Sequence, residues 1–520
     1  MTEPNSTNPD TTNPDTPNQA SDAAARQGQH GLTGSRGLGN SQAPSVARIG
    51  SAALGLILLA GSLGAVSQNI PQSVVSALPG PATTLQPIAA TAEAPNQQVI
   101  CPGPFLTFVA QETTPRGFSD PELTRLGSQS TEVTLESEDF LQEFAGTDGD
   151  LAPAPVFLEQ PAEAGFLGAA SSARIDSIFA WGLAAQTCQT PVSEGWLVAG
   201  STSTGRQGVI SLSNPGSVPA TVDLGVYGQS GPVTAPAGRG ILLQPGERRV
   251  FSLSGLAPAE ESPVISMRSA GTPVSVTLHT ALIRGLDPDG ADLVGLQGAP
   301  STLRVLPGMW LESENALARV SGQDGYSDIG PVLRLLAPEV DAQAVVRVIR
   351  PIAGDVVSEV SLEAGRVFDI ALDTLGEGHA AVVIESDQPI VAGVKHSSVG
   401  DPRTDLAWLP SAPLINGPGS VVVPGGPDAT LHVVNNADQP GTLKFARVSE
   451  DGEQVLAAGE IDLPAQGLSV RSLGGGGGAY IFESDVEVAI GVVLREDGEL
   501  ANLVATPPPA ASPEILVYAR

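Results

Sequence analysis

Cysteine is almost absent from this chain: its 520 residues hold two, Cys101 and Cys188. Neither lies in a CxxC pair, so a zinc cluster or a thioredoxin-like site has no support. Aromatic residues are only 4% and charged residues only 16% of the sequence. Basic residues are the scarcer sign, 25 against 56 acidic, for a formal net charge of −31. Such a surface repels phosphate backbones, which argues against nucleic-acid partners, and its plainest role is solubility. The histidines are five, His30, His279, His379, His396 and His432, scattered with no HxH or HExxH spacing. A zinc site needs three or four convergent ligands, and this spacing offers none.

Motifs of common chemistries are missing too. No GxxxxGK[ST] loop, GxSxG elbow or SxxK set occurs. "GSTSTGR" (200–206) shares only its composition with a phosphate loop, and "GGGGG" (474–478) is no GxGxxG fingerprint. Trp181, Trp196, Trp310 and Trp408 could stack on sugars, but isolated tryptophans more often anchor β-sandwich cores. No catalytic, cofactor-binding or metal-ligating set is therefore assigned.

What is abundant is punctuation. The chain has 60 glycines and 45 prolines, and 41% of it is hydrophobic. Short apolar runs broken by Gly and Pro predict an all-β protein, and the length suggests roughly three or four domains.

The N-terminus reads as an address. Residues 1–48 are rich in Asn, Thr, Pro, Ser and Gln and cannot bury a core, so a disordered cytoplasmic tail is expected. Residues 49–66, "IGSAALGLILLAGSLGAV", carry no charge and predict a transmembrane helix. Arg26, Arg36 and Arg48 precede it and no charge follows until Glu93, which places the bulk of the chain outside the cytoplasm. A signal-anchor is favoured, and a signal peptide cleaved after Ala77 is the competing reading. Residues 67–96 read as a flexible stalk. Outside the membrane, Cys101 and Cys188 most simply form a disulfide.

Self-similarity is the strongest signal. "ADLVGLQGAP" (291–300), "TDLAWLPSAP" (404–413) and "GELANLVATP" (498–507) share acidic-Leu-x-x-Leu-x-x-x-Pro without gaps. Each is preceded by a strand–turn–strand stretch, such as "VISLSNPGSVPATVDLGVYGQSG" in the first copy. There Val222, Leu224 and Val226 alternate with polar or small residues, the period of a half-buried strand. Units of about a hundred residues with six to eight short strands fit tandem immunoglobulin-like β-sandwiches. They are expected at 192–300, 301–413 and 414–520, after a β-rich N-terminal cap over 97–191. The turn residues differ between copies (Asn214-Pro215, Ala337-Pro338, Asn435-Asn436), which favours an architectural corner over a binding loop. The acidic turns Asp287–Asp292, Asp401–Asp405 and Glu496–Glu499 invite a calcium reading, but they are not the EF-hand pattern, and a solvated hairpin turn is the leading expectation.

"CPGPF" after the stalk, then "GLAAQTCQTP", "GWLVAG" and "LSNPGS", resemble an actinobacterial family of membrane-anchored proteins known only as a domain of unknown function. The best matched positions are Cys101, Pro102, Gly103, Pro104, Cys188, Trp196, Asn214 and Pro215. The resemblance implies an extracytoplasmic, β-rich protein and carries no activity or catalytic residues. The expected role is structural or adaptor-like in the cell envelope, not enzymatic. Partners would be the membrane and envelope proteins or cell-wall glycans, with glycan binding and an unrecognised envelope enzyme as the alternatives.

Overall fold

In the computed structural model, residues 88–91, 96–108, 115–119, 121–127, 131–134, 155–161, 164–323, 325–372, 375–401, 403–507 and 514–517 are described. The expected tail and apolar helix lie outside them. Among the described residues no helix is long and apolar enough to cross a membrane. Inside the segment expected as a stalk, Ile88–Thr91 pairs antiparallel with Glu514–Val517.

The fold is nearly all β. One pattern of pairing recurs three times. In its first occurrence Glu194–Val198, Val264–Ala270, Ala220–Gly228, Gly231–Val233 and Ile241–Leu243 form one sheet. Arg248–Ser252, Arg206–Ser213, Ser275–Arg284 and Asp287–Gly295 form a second. The chain changes sheet at the corner between Arg206–Ser213 and Ala220–Gly228, so the stretch around Asn214 joins two layers and is not a hairpin.

In the later occurrences the change of sheet happens within one long strand. Gly378–Val399 pairs through its first half with Ser301–Leu311 and Ala342–Ile349. Its second half pairs with Val332–Leu336 and Thr404–Pro410. Gly478–Glu496 repeats this with Ile415–Val423, Gly441–Val448, Asp428–Asn435 and Glu499–Val504. In the first copy a Gly-Thr-Pro break at 271–273 splits the equivalent strand in two.

Alternation explains the layers. Val222, Leu224 and Val226 face the core, while Thr221 is exposed and Asp223 and Gly225 are half-buried. Each fully buried Val or Leu contributes roughly 1.5–3 kcal/mol relative to exposure. Three large apolar clusters result, around Leu212 and Leu224, around Leu335 and Val382, and around Val433 and Ile490.

The repeats are also packed on one another. Trp196 and Val198, on the first strand of copy one, meet Leu336, Val367 and Val391 of copy two. Val305, on the first strand of copy two, meets Val434, Leu468 and Ala489 of copy three. The same edge is used both times, and small residues permit the approach. A Cβ on Gly393 would sit 2.4 Å from the Val198 carbonyl oxygen, and one on Gly491 would sit 2.8 Å from Pro307. The N-terminal strands close the arrangement. Leu126, Ala170 and Leu183 enter the core of copy three, while Phe105 and Ala184 pack with Ala281 and Leu293 of copy one. A disulfide joins Cys101 and Cys188, both buried.

Candidate functional site

The acidic-Leu motifs of all three copies converge. The strands that carry them, Asp287–Gly295, Thr404–Pro410 and Glu499–Val504, gather with Trp181–Thr187 from the N-terminal segment. Asp405 stands at their centre. Its Oδ2 accepts from the backbone N–H of Leu183 (2.9 Å) and Leu500 (3.0 Å), and its Oδ1 from Ala291 (3.1 Å) and Leu406 (2.9 Å). One carboxylate thus satisfies a donor on each of the four strands, whose outer edges offer no ladder partner. Gly182 (φ +137°) leaves the space, for a Cβ there would lie 2.6 Å from Asp405 Oδ1.

The neighbouring acids repeat the device. Asp292 Oδ2 accepts from Trp408 N–H at 2.7 Å. Asp289 accepts from the N–H and hydroxyl of Thr404, both at 2.6 Å, and pairs with Arg284 at 2.6 Å. Glu499 pairs with Arg174 at 2.6 Å. Each copy therefore reaches the next, and the last reaches the N-terminal segment. Burial pushes the Asp405 carboxyl well above its usual range, and the four N–H donors oppose it. Burial does the same to Asp292, with the Asp405 charge adding to the push and the Trp408 N–H opposing it.

This corrects the expectation of solvated hairpin turns. Asp287 and Asp401 are exposed, but Asp289, Asp292 and Asp405 are buried with their carboxylates on N–H groups of adjoining segments, and Glu499 is buried against the Arg174 guanidinium. Among the described residues no group of three or more His, Cys, Asp or Glu is placed to hold a metal ion.

The histidines outside the tail are structural parts of the same packing. His279 Nδ1 accepts from Leu106 N–H, and His396 Nδ1 accepts from Trp310 N–H, each at 3.1 Å. His432 Nε2 lies 3.1 Å from His379 Nδ1. Burial lowers His396 to about 4, and burial with His379 alongside lowers His432 to about 3. Trp196 and Trp408 are buried in cores, while Trp181 and Trp310 are half-buried beneath Arg403 and Arg495.

The Asn214 side chain holds its corner together. Its Nδ2 donates to Val218 O and Leu243 O, and its Oδ1 accepts from Gly216 N–H. Asn435 repeats all three bonds with Gln439 O, Pro464 O and Ala437 N–H. Yet Pro215 and Gly216 also line a cavity of about 840 Å³ beside the central strands. Its wall includes the ends of all three motifs and the segment that follows Thr187. Sequence reasoning missed this cavity, since its wall is drawn from the N-terminal segment and from all three copies. The only available signal was an acid recurring within strands, where Asp is otherwise disfavoured.

Residues 145–468, more than half of the chain, match the family of unknown function DUF5719, and the chain belongs to that family. No curated protein matches it. The solved structures similar to parts of it include Thermotoga maritima 1070, at 18% identity over 22% of this chain and 94% of that one, with a TM-score of 0.19. Another is the tetra-tandem repeat from the extending region of a large adhesion protein. It is 10% identical over 79% of this chain and 98% of that one, with a TM-score of 0.11. At these scores neither structure informs the fold of the whole chain.

Proposed function

We propose that this member of DUF5719 is a single-pass, membrane-anchored scaffold or adaptor of the cell envelope. Its extracytoplasmic body would consist of three immunoglobulin-like β-sandwich units and an N-terminal β-rich cap. The observation that carries the reading is the carboxylate of Asp405, which binds strands from the cap and all three copies together. A protein that needs only to hold surfaces in fixed relation gains from such joints, whereas a flexible string of modules does not. The uncharged run 49–66 with Arg26, Arg36 and Arg48 before it supports the anchor and its orientation. The disulfide supports an oxidising compartment.

The test is protease shaving of intact spheroplasts that make the full chain with a tag at each end. The reading expects the C-terminal tag to be lost and a short membrane-bound fragment to keep the N-terminal tag. Protection of both tags until lysis would overturn it.

A further inference from the structure

A second, smaller cavity, of about 380 Å³, lies between copies one and two. Its volume is in the range of small-molecule sites. Its floor is one face of the sheet formed by Val367–Ala371, Val332–Leu336, the second half of Gly378–Val399 and Thr404–Pro410. The antiparallel register aligns Ala371, Val332, Lys395 and Trp408 in one row across these strands. Their side chains therefore share a face, and all four line the cavity. The facing wall comes from copy one and includes Ser201, Ser203, Arg206 and Leu282.

The acids here leave one cation uncompensated. Arg334 holds Asp369 through two bonds, both of 3.0 Å, and gives its other donors to the carbonyls of Gly200, Pro263 and Glu261. Both carboxylate oxygens of Asp328 are taken by guanidiniums, Oδ2 by Arg206 at 2.5 Å and Oδ1 by Arg284 at 2.7 Å. Arg284 also pairs with Asp289. Lys395 is left to donate to the backbone oxygen of Asp328, and among the described residues it makes no ion pair. Arg206, Arg284 and Lys395 thus share two carboxylates. Glu261 lines the cavity too, but it is exposed, and solvent screens its charge. Burial lowers the Lys395 ammonium to about 8; the Asp328 charge opposes the shift, and Arg334, Arg284 and Arg206 add to it. Lys395 remains mostly a cation at neutral pH. Lys395, Ser201 and Ser203 are half-buried, not sealed off. The ammonium has two N–H groups without a partner, and among the described residues neither serine hydroxyl donates a bond. These free groups are all donors.

We propose that this cavity binds a small organic monocarboxylate, its carboxylate paired with the Lys395 ammonium and its apolar body against Val332, Leu282 and Leu406. One negative charge matches the one cation left over, and the bond is charge-assisted. Ser201 and Ser203 offer further donors from the facing wall. Phosphate or sulfate would answer Lys395 but would set a bare ion against the apolar residues. The two walls belong to different copies, so the ligand bridges them. The inference goes beyond the scaffold reading and does not rest on it, since it concerns a ligand and not the anchor.

The experiment is reductive methylation of the full chain with formaldehyde, read by peptide mass mapping. Benzoate and butyrate are the probes, with benzamide, butyramide, phosphate and sulfate as separate arms. The sequence has only two lysines, Lys395 and Lys444, so the exposed Lys444 is an internal control. Each acid should slow methylation of Lys395 and leave Lys444 unchanged. It should act at a concentration at least about tenfold below that of its amide, the scale of one charge-assisted hydrogen bond. Phosphate and sulfate should protect Lys395 less than the acids do. Lys395→Met keeps an apolar stem and removes the charge; in equilibrium dialysis it should retain benzoate at least about tenfold less than the parent. Methylation of Lys395 that neither acid slows, equal protection by acids and amides, or protection by phosphate or sulfate that equals that of the acids would overturn the proposal. So would a Lys395 that formaldehyde does not reach, because the cavity would then be closed to solutes, and so would a folded Lys395→Met variant that retains benzoate like the parent. The acid–amide comparison needs no variant, so it decides the matter even if Lys395→Met does not fold.

Discussion

Four backbone donors on Asp405 explain why a buried aspartate stands near the start of a largely buried strand. Asn in its place keeps one acceptor oxygen but turns an NH₂ toward N–H groups. Asp405→Asn should therefore lower unfolding stability by about 2–6 kcal/mol, as two buried donors lose their acceptor at about 1–3 kcal/mol each. Asp401→Asn, at an exposed neighbour, should leave the denaturant midpoint in place. His432 gives a second prediction. Its folded-state value of about 3 lies below the ordinary 6.5, so the folded state favours the neutral ring. The stability tied to that ring is whole above pH 6.5 and is lost as pH falls toward 3. His432→Leu lacks this loss. The stability of the parent minus that of the variant should thus shrink by about 1.4 kcal/mol per pH unit between pH 6 and 4. Denaturant titration at several pH values measures it, and a constant difference would refute it. The acidic motif was visible in the sequence as a recurring mark. Its role was not, because the donors that Asp405 satisfies at Leu183, Ala291 and Leu500 lie far away along the chain.

At the scale of elements, strand alternation was legible and connection was partly so. Val222, Leu224 and Val226 announce a half-buried strand because the two-residue period is local. The corner at Asn214 was also readable, since Gly and Pro mark a turn. That the turn joins two sheets is set by tertiary packing and is not written in the turn itself. The pairing of Gly378–Val399 with both layers was hidden for the same reason: a strand that changes sheet has the same alternation as one that does not. The Cys101–Cys188 bridge ties strand Gln97–Cys101 to the end of Trp181–Thr187 across 87 positions. Replacing both cysteines with alanine should reduce stability by roughly 4–5 kcal/mol in the chain-entropy account. The urea midpoint reads it, and an unchanged midpoint would show that the packing of the cap alone holds these strands.

For the whole molecule, the copies are joined by recurring apolar seams and by a shared polar centre, so local damage should spread. Independent modules on linkers would respond separately. A reading of one copy at a time could not show this, because every seam consists of residues from two copies. The larger cavity was hidden likewise, its wall residues Gln186 and Asn502 standing more than three hundred positions apart. The most direct test is native-state hydrogen exchange followed at the peptides that contain Leu183, Ala291, Leu406 and Leu500, in the parent and in Asp405→Asn. If one carboxylate holds the four strands together, the variant accelerates exchange at all four amides. If the copies are independent, only the peptide containing Leu406 changes, and the account is contradicted.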